Sequence, residues 1–301
     1  METNFKRRSD DLSLINVNFQ LKSKSPTKSI LFCLIMLLCI TFADAQDEKI
    51  EQFENDKSDS TMMENYKPFK FGAHLKNMHT WHGFVVQSGP IFATNLEYNT
   101  RNKKFTFGFW GGSSFGTSGN SYKEFSIYAV YRFTDKFFTE IVTHNNYTGV
   151  EERGEKLHYW AYDKTTSYNF VDVNFGYNFN KFSVYYGIIL FGQSQDVAKD
   201  SSGALLYDAN GNLEDSWTNY AEVKATLYEK EGYKLSGFVG GAWSFHTDNT
   251  FYTQHKGNII NVGLALAKDV DVIGYKLPVE VTAMWNPEKQ KTVLQLDITL
   301  F

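Results

Sequence analysis

The sequence after residue 68 repeats one pattern, in which apolar and polar residues alternate along short segments. A period of two places alternate side chains on opposite faces of an extended strand, so each segment predicts a β-strand with one apolar face. Most segments span roughly nine to thirteen residues, which is long for a globular strand but close to what a tilted strand needs to cross a bilayer. The twelve predicted strands are 69–81, 91–99, 104–112, 122–133, 137–147, 168–179, 182–193, 217–228, 234–245, 258–268, 276–285 and 291–301.

The two faces of these strands differ in charge. One face carries no Asp, Glu, Lys or Arg, as in Phe125, Ile127 and Ala129 of the fourth strand and Ile260 of the tenth. A soluble sandwich would also have an apolar face, but no helical pattern covers a sheet edge here. Backbone groups in lipid must all be paired, so the sheet must close. The sequence therefore predicts an all-β fold, a transmembrane antiparallel β-barrel of about twelve strands. We expect its interior to be lined by Lys70, His74, Lys76, Glu97, Glu124, Arg132, Glu140, Asp172, Glu222, Lys224, Glu280 and Asp297.

The links between the predicted strands alternate in length. Short polar turns at 100–103, 134–136, 180–181 and 229–233 alternate with longer links at 82–90, 113–121, 148–167, 194–216 and 246–257. This alternation is typical of the periplasmic turns and extracellular loops of outer-membrane barrels. Tryptophans lie near the longer links and other aromatic residues near the short turns, which predicts two belts at the bilayer interfaces. The tryptophans are Trp81, Trp217, Trp243 and Trp285.

The N-terminal part has the features of a secretory signal peptide. An apolar run at 30–42 follows Lys22, Lys24 and Lys28 and precedes the triplet Ala43-Asp44-Ala45. The run is shorter than the roughly 20 residues of a spanning helix. We therefore expect residues 1–45 to be a signal peptide cleaved after Ala45, residues 46–67 a disordered periplasmic lead-in, and residues 68–301 the barrel. The mature chain would then contain no cysteine.

The segment 290–301 looks like the closing strand of an outer-membrane barrel. Its residues Leu294, Leu296, Ile298 and Leu300 share one face. In such barrels the last aromatic residue usually shares that face, whereas Phe301 is out of phase by one residue.

Residues 81–133 resemble the TorF-type porins of Gram-negative bacteria. The triplet Trp81-His82-Gly83, Pro90, the run GFWGGSSF at 108–115 and the triplet at 122–124 carry the resemblance. His82 stands where that family has arginine, and Gly112 is an extra glycine. The resemblance implies an outer-membrane barrel with a pore role, and it supplies no substrate and no catalytic residues.

Several shorter patterns have a structural and a functional interpretation. His74, His79 and His82 are close in sequence, but His74 and His82 on one strand would lie roughly 26 Å apart, too far for one metal ion. The segment 208–212 resembles a calcium loop, but its glycine comes too early, so we expect a tight turn. The glycine-rich run 111–119 precedes no helix and is expected to be a mobile surface loop rather than a phosphate site.

Three functions remain compatible with this barrel. The preferred hypothesis is a small porin-like channel for ions or small solutes. It needs no cofactor and no metal, and its partners would be outer-membrane lipid and the barrel-assembly machinery. Seven acidic predicted lining residues against four basic ones favour cations mildly, unless they form ion pairs that plug the lumen. The alternatives are a lipid-acting barrel enzyme using Ser244, His246 and Glu222, or an adhesive barrel binding through the loops 148–167 and 194–216. The net charge of −4 argues against nucleic acid.

Overall fold

The structure is a computed structural model that describes residues 66–301, apart from 116–121, 151–153, 155–158, 163, 165–166, 168 and 193–195. The expected signal peptide, its cleavage site after Ala45 and nearly all of the expected lead-in lie outside the described residues. None of the described residues belongs to a helix long and apolar enough to cross a membrane.

The described residues form a closed barrel of twelve antiparallel strands, which confirms the predicted fold class. Each of the twelve predicted segments overlaps one barrel strand. The barrel strands are β1 (Phe69–Lys76), β4 (Ile91–Asn99), β5 (Phe105–Ser114), β6 (Lys123–Arg132), β7 (Phe137–Asn146), β8 (Asn169–Asn178), β9 (Phe182–Phe191), β10 (Asn219–Lys230), β11 (Tyr233–Trp243), β12 (Asn258–Val272), β13 (Tyr275–Asn286) and β14 (Lys291–Thr299). Two short strands, β2 (His79–Trp81) and β3 (Phe84–Gln87), pair only with each other.

Short turns join the strands at one end of the barrel. Glu231 and Gly232 connect β10 to β11, and both have positive φ angles of 55° and 77°. Ile273 and Gly274 connect β12 to β13 with φ angles of 54° and 80°. Positive φ at both central residues is the geometry of a two-residue type I′ hairpin turn, which matches the twist of the strands. β12 and β13 therefore extend beyond their predicted ends at 268 and 276, and only these two residues separate them.

The outer surface of the barrel is apolar. Phe69 is 67% exposed, Ile141 49% and Leu294 60%, and each points away from the interior. Ile260, predicted to lie on this face, is instead fully buried inside the barrel. The register between β11 and β12 shifts there, because Gly240 pairs with Asn261 and Gly241 with Ile259. Such a bulge inserts one extra residue into β12, so the alternation of inward and outward side chains changes phase at this point.

A second bulge explains the phase of Phe301. Ala73 of β1 donates its amide to the carbonyl of Phe301 and accepts the amide of Leu300, so two residues oppose one. The Phe301 ring then packs on the outward Phe71 ring, with centroids 5.1 Å apart. Phe301 therefore lies on the apolar outer face, although strict alternation along the strand would place it on the polar face.

The first predicted strand ends earlier than expected. β1 stops at Lys76 because the side chain of Asn77 takes over the pairing with β14, accepting the amide of Leu296 and donating to the carbonyl of Leu294. The chain then turns inward, and residues 79–87 form the hairpin of β2 and β3. Trp81, predicted to lie in an interfacial belt, is therefore inside the barrel, whereas Trp217 and Trp285 are exposed.

The described part of the loop between β9 and β10 is compact. Backbone hydrogen bonds join Ala198 to Glu214, Glu214 to Leu206, and Leu206 to Ala198, so three short segments close a ring. The tight turn predicted at 208–212 is confirmed: Asp208 accepts the amides of Asn210 and Asn212, and Gly211 has a φ of 80°.

Candidate functional site

The hairpin of β2 and β3 turns at a two-residue loop. His82 and Gly83 have φ angles of 45° and 83°, which again is the type I′ geometry. Trp81 and Phe84 pair directly beside the turn. His82 and Gly83 therefore form a tight turn, where the sequence predicted the end of a strand at 81 and a long link at 82–90.

This hairpin contacts the inner wall around most of the barrel. His79 stacks on Trp110 of β5 with centroids 5.2 Å apart, and Trp81 contacts His144 of β7 at 5.3 Å. Further contacts reach Ile91 and Ala93 of β4, Phe170 of β8, Tyr185 of β9, Tyr220 of β10, Ala242 of β11, Ile260 of β12 and Gln295 of β14. We call residues 79–87 the plug hairpin, because they cross the lumen and pack on facing walls.

The tip of the plug hairpin is held by specific contacts. The His82 ring stacks on Tyr220 with centroids 3.9 Å apart, and its Nδ1 lies 2.8 Å from the Tyr252 hydroxyl. The Gly83 carbonyl accepts the side-chain amide of Asn286 at 2.9 Å. These contacts fix both the position and the orientation of the tip.

A second segment folds inward and covers the hairpin. Phe251 and Tyr252, in the loop after β11, pack against Trp81 with centroid distances of 5.8 and 5.5 Å. The Phe251 amide donates to the Thr218 hydroxyl, and the buried carboxyl of Asp196 accepts both the amide and the hydroxyl of Thr218. Two loops and the plug hairpin are therefore joined in one network.

A cavity of about 870 Å³ lies beside the plug hairpin. Its wall combines carboxylates, other polar groups and aromatic rings from the hairpin and from β1 and β4 to β8. Its lining includes the carboxylates of Glu97, Glu124 and Glu140, the ring of Trp110, and the rings of Trp81 and His79 from the plug hairpin. This volume falls in the range of small-molecule sites.

Most charges around this cavity are neutralised within the wall. Lys76 pairs with Asp297 at 2.8 Å, and His74 lies 3.0 Å from the same carboxylate. His144 lies between Glu124 at 3.6 Å and the buried Asp172 at 3.2 Å.

Two lining carboxylates have only neutral partners. Glu97 accepts the Tyr128 hydroxyl at 2.9 Å, and Glu140 accepts the Asn174 amide at 3.3 Å. No cationic side chain among the described residues forms an ion pair with either glutamate. The lumen beside the plug therefore retains an excess of negative charge.

The other predicted lining residues are not all at this cavity. Glu222, Lys224 and Glu280 border a cavity of about 110 Å³ on another side of the plug hairpin. Arg132 donates to Thr106 at 2.8 Å, and Lys70 lies opposite Glu97 in the β1–β4 ladder.

The residues of the enzyme alternative do not form a catalytic constellation. The Ser244 hydroxyl donates to the Ser216 carbonyl and accepts the amides of His246 and Thr247. The His246 ring pairs with Glu214 at 2.8 Å, while Glu222 accepts hydrogen bonds from Tyr220 and Asn261. Ser244 thus stabilises a turn, and no described hydrogen bond joins it to an imidazole.

The three histidines nearest the N-terminus have different positions and different contacts. His74 lies on β1 beside Asp297, His79 stacks on Trp110, and His82 forms the hairpin tip. Within the described ranges, no group of three His, Cys, Asp or Glu side chains is placed to hold a metal ion.

Comparisons with known proteins give structural likenesses only. No protein-family model matches the sequence, and no curated protein matches it. Among solved structures, the NanC porin is similar with a TM-score of 0.40 and 8% identity, over 76% of this chain and 98% of that chain. An outer-membrane channel from Pseudomonas putida has a TM-score of 0.41 and 12% identity, over 82% of this chain and 98% of that chain.

LpxR from Salmonella typhimurium is also similar, with a TM-score of 0.32 and 9% identity, over 77% of this chain and 99% of that chain. At such scores and identities a likeness carries no functional conclusion, so the function must be argued from the residues of this chain. The resemblance of residues 81–133 to TorF-type porins stays a prediction.

Proposed function

We propose that this protein is an outer-membrane barrel that acts as a small porin-like channel for ions or small solutes, narrowed by the plug hairpin. The observation that carries the proposal is the cavity of about 870 Å³ inside the barrel, with Glu97 and Glu140 in its wall and no ion pair to either from a described residue. A barrel serving only as a membrane anchor has no need of a cavity of this size.

The two faces of the barrel support a membrane location. The outer face presents large apolar side chains such as Ile141 and Leu294, and the closed sheet leaves no strand edge between β1 and β14. Such an apolar outer surface is stable in contact with lipid, and a closed barrel leaves no backbone group unpaired there. Outer-membrane lipid and the barrel-assembly machinery are the partners that this location requires.

Export would follow from the N-terminal segment. Under this proposal the chain is cleaved after Ala45, so N-terminal sequencing of protein from the outer-membrane fraction begins at Gln46. A mature protein that retains Cys33 and Cys39 would contradict the proposed cleavage.

Planar-bilayer recordings test the channel. The refolded mature protein should show small, cation-favouring conductance, because the plug hairpin fills much of the lumen while unpaired carboxylates remain in the cavity. The absence of conductance both from the unaltered protein and from a variant with a displaced hairpin would overturn the channel proposal. Such a variant, Gly83→Ala, is described in the Discussion.

A further inference from the structure

We propose that the cavity beside the plug hairpin binds a small protonated organic amine. The inference rests on the proposed channel, since it names a class of solute that the channel would pass. It also makes a claim about binding that is measurable without any conductance.

The charge of the ligand follows from the two unpaired carboxylates. Glu97 and Glu140 lie on β4 and β7, three strands apart, which separates their backbones by roughly 14 Å across the wall. Carboxylates removed from bulk water are stabilised by a positive charge that enters beside them. A neutral ligand would displace water from both groups without supplying that charge. The cavity therefore favours a cation over a neutral molecule of the same size.

The hydrogen-bonding capacity of the ligand follows from the same two carboxylates. Tyr128 donates one hydrogen bond to Glu97, and Asn174 donates one to Glu140, whereas a carboxylate has about four acceptor sites. A ligand with N–H groups can donate to the remaining lone pairs, whereas a metal ion would need several ligands in one place. A protonated amine meets this requirement better than a quaternary ammonium, which has no N–H.

The carbon skeleton of the ligand has a complementary wall. Trp81, Phe84, Trp110, Phe170 and Phe251 all border the cavity. Aromatic rings bind aliphatic carbon by apolar burial and attract cations to their faces. Apolar rings together with two isolated carboxylates match an amine that carries an aliphatic chain.

The ordinary explanation of the carboxylates is that water and dissolved sodium or potassium neutralise them. That explanation predicts no preference between organic amines and inorganic cations. It also assigns no role to the aromatic wall. The experiment must therefore compare an amine with its neutral analogue while potassium is present in excess.

Isothermal titration calorimetry on the refolded full barrel tests the proposal with the diamine cadaverine and its neutral analogue pentanediol. Cadaverine should bind and pentanediol should not. Glu97→Gln with Glu140→Gln removes both charges with little change in volume, and should weaken cadaverine binding by about tenfold or more, equivalent to at least 1.4 kcal/mol.

The control variant removes two charges elsewhere. The control combines Glu229→Gln with Glu231→Gln, at the exposed turn between β10 and β11. There Glu229 pairs with Lys234, and Glu231 pairs with Lys230. The cadaverine affinity of the control should equal that of the unaltered protein, and all variants must first show heat-modifiable mobility as folded barrels. Equal affinity in the cavity variant and the control, or equal binding of diamine and diol, would overturn the amine site. Binding without conductance would leave the site standing and remove the channel, so the two proposals fail separately.

Discussion

Gly83 lies directly against Ile260, so closely that a Cβ atom added to the glycine would overlap the carbonyl oxygen of Ile260. The contact joins the tip of the plug hairpin to the bulge of β12, where Ile260 is fully buried. Two local departures from regular strand geometry, a type I′ turn and a bulge, therefore meet at one point. This close approach requires glycine at position 83, because any side chain there would overlap the backbone of β12.

The first prediction is that Gly83→Ala displaces the plug hairpin and increases single-channel conductance. The alanine costs about 1–2 kcal/mol for its left-handed backbone, and in addition its methyl group has no space beside a backbone atom that cannot rotate away. Planar-bilayer recordings on the refolded variant measure the effect.

Gly232→Ala is the matched control for this variant. Gly232 occupies the equivalent position of another type I′ turn, with a φ of 77° against 83° for Gly83, and nothing lies within 4 Å of its Cβ position. It shares the backbone penalty but not the clash. If both variants conduct alike, the hairpin is not what narrows the lumen.

The second prediction separates the outer face from the lumen. Ile141→Arg should block or weaken barrel assembly, because an arginine near the bilayer midplane costs roughly 2–4 kcal/mol. The neighbouring substitution Glu140→Arg points into the cavity rather than into lipid and should be tolerated. Heat-modifiable mobility on gels reports assembly of each variant. Equal loss of the folded band in both would show that the two side chains do not face lipid and lumen respectively.

The barrel was predictable because its cause is local and repeated. Alternation with a period of two fixes the faces of each strand, and a lipid-exposed sheet has to close. The exceptions occur where one extra residue reverses the phase. Ile260 and Phe301 both stand at bulges, and alternation alone gives each of them the wrong face.

Neither the plug hairpin nor its turn was predicted, because residues 69–81 were expected to form one strand and residues 82–90 a long link. His-Gly is not among the dipeptides that mark a two-residue hairpin, although His82 and Gly83 adopt the positive φ angles of one. Whether such a hairpin extends outward or folds into the lumen depends on space between distant strands, which sequence spacing does not reveal. The aromatic character of Trp81 is equally compatible with a lipid interface and with the stack that it forms inside the barrel.

The third prediction concerns pH and the loop that supports the plug. Burial raises the pKa of Asp196 to about 7, even though hydrogen bonds from Thr218 oppose the shift. A raised pKa means that the folded loop prefers the protonated carboxyl. The stabilisation from this group is therefore fully present below about pH 4, near the unfolded pKa, and is lost as the pH rises through 7.

Hydrogen exchange tests this sign. Protection of the Phe251 and Thr218 amides, which depend on the Asp196–Thr218 contact, should fall between pH 4 and pH 7 after correction for intrinsic exchange rates. The isosteric Asp196→Asn variant stays neutral, so its protection should not change over this interval. A change of equal size in the variant would assign the effect to a group other than Asp196.

The last prediction concerns ion selectivity. Asp172 is only 4% exposed and pairs with His144, so its charge is compensated within the wall. Glu97 and Glu140 line the cavity and form no such ion pair with any described residue, so they should set the preference for cations. Glu97→Gln with Glu140→Gln should therefore shift the reversal potential under a salt gradient toward the anion side, whereas Glu229→Gln with Glu231→Gln should not. The shift should be largest at low salt, because the Debye length is about 10 Å at 0.1 M and shrinks as salt is added. A reversal potential that is unchanged by the cavity variant at every salt concentration would leave a channel whose selectivity lies elsewhere in the lumen.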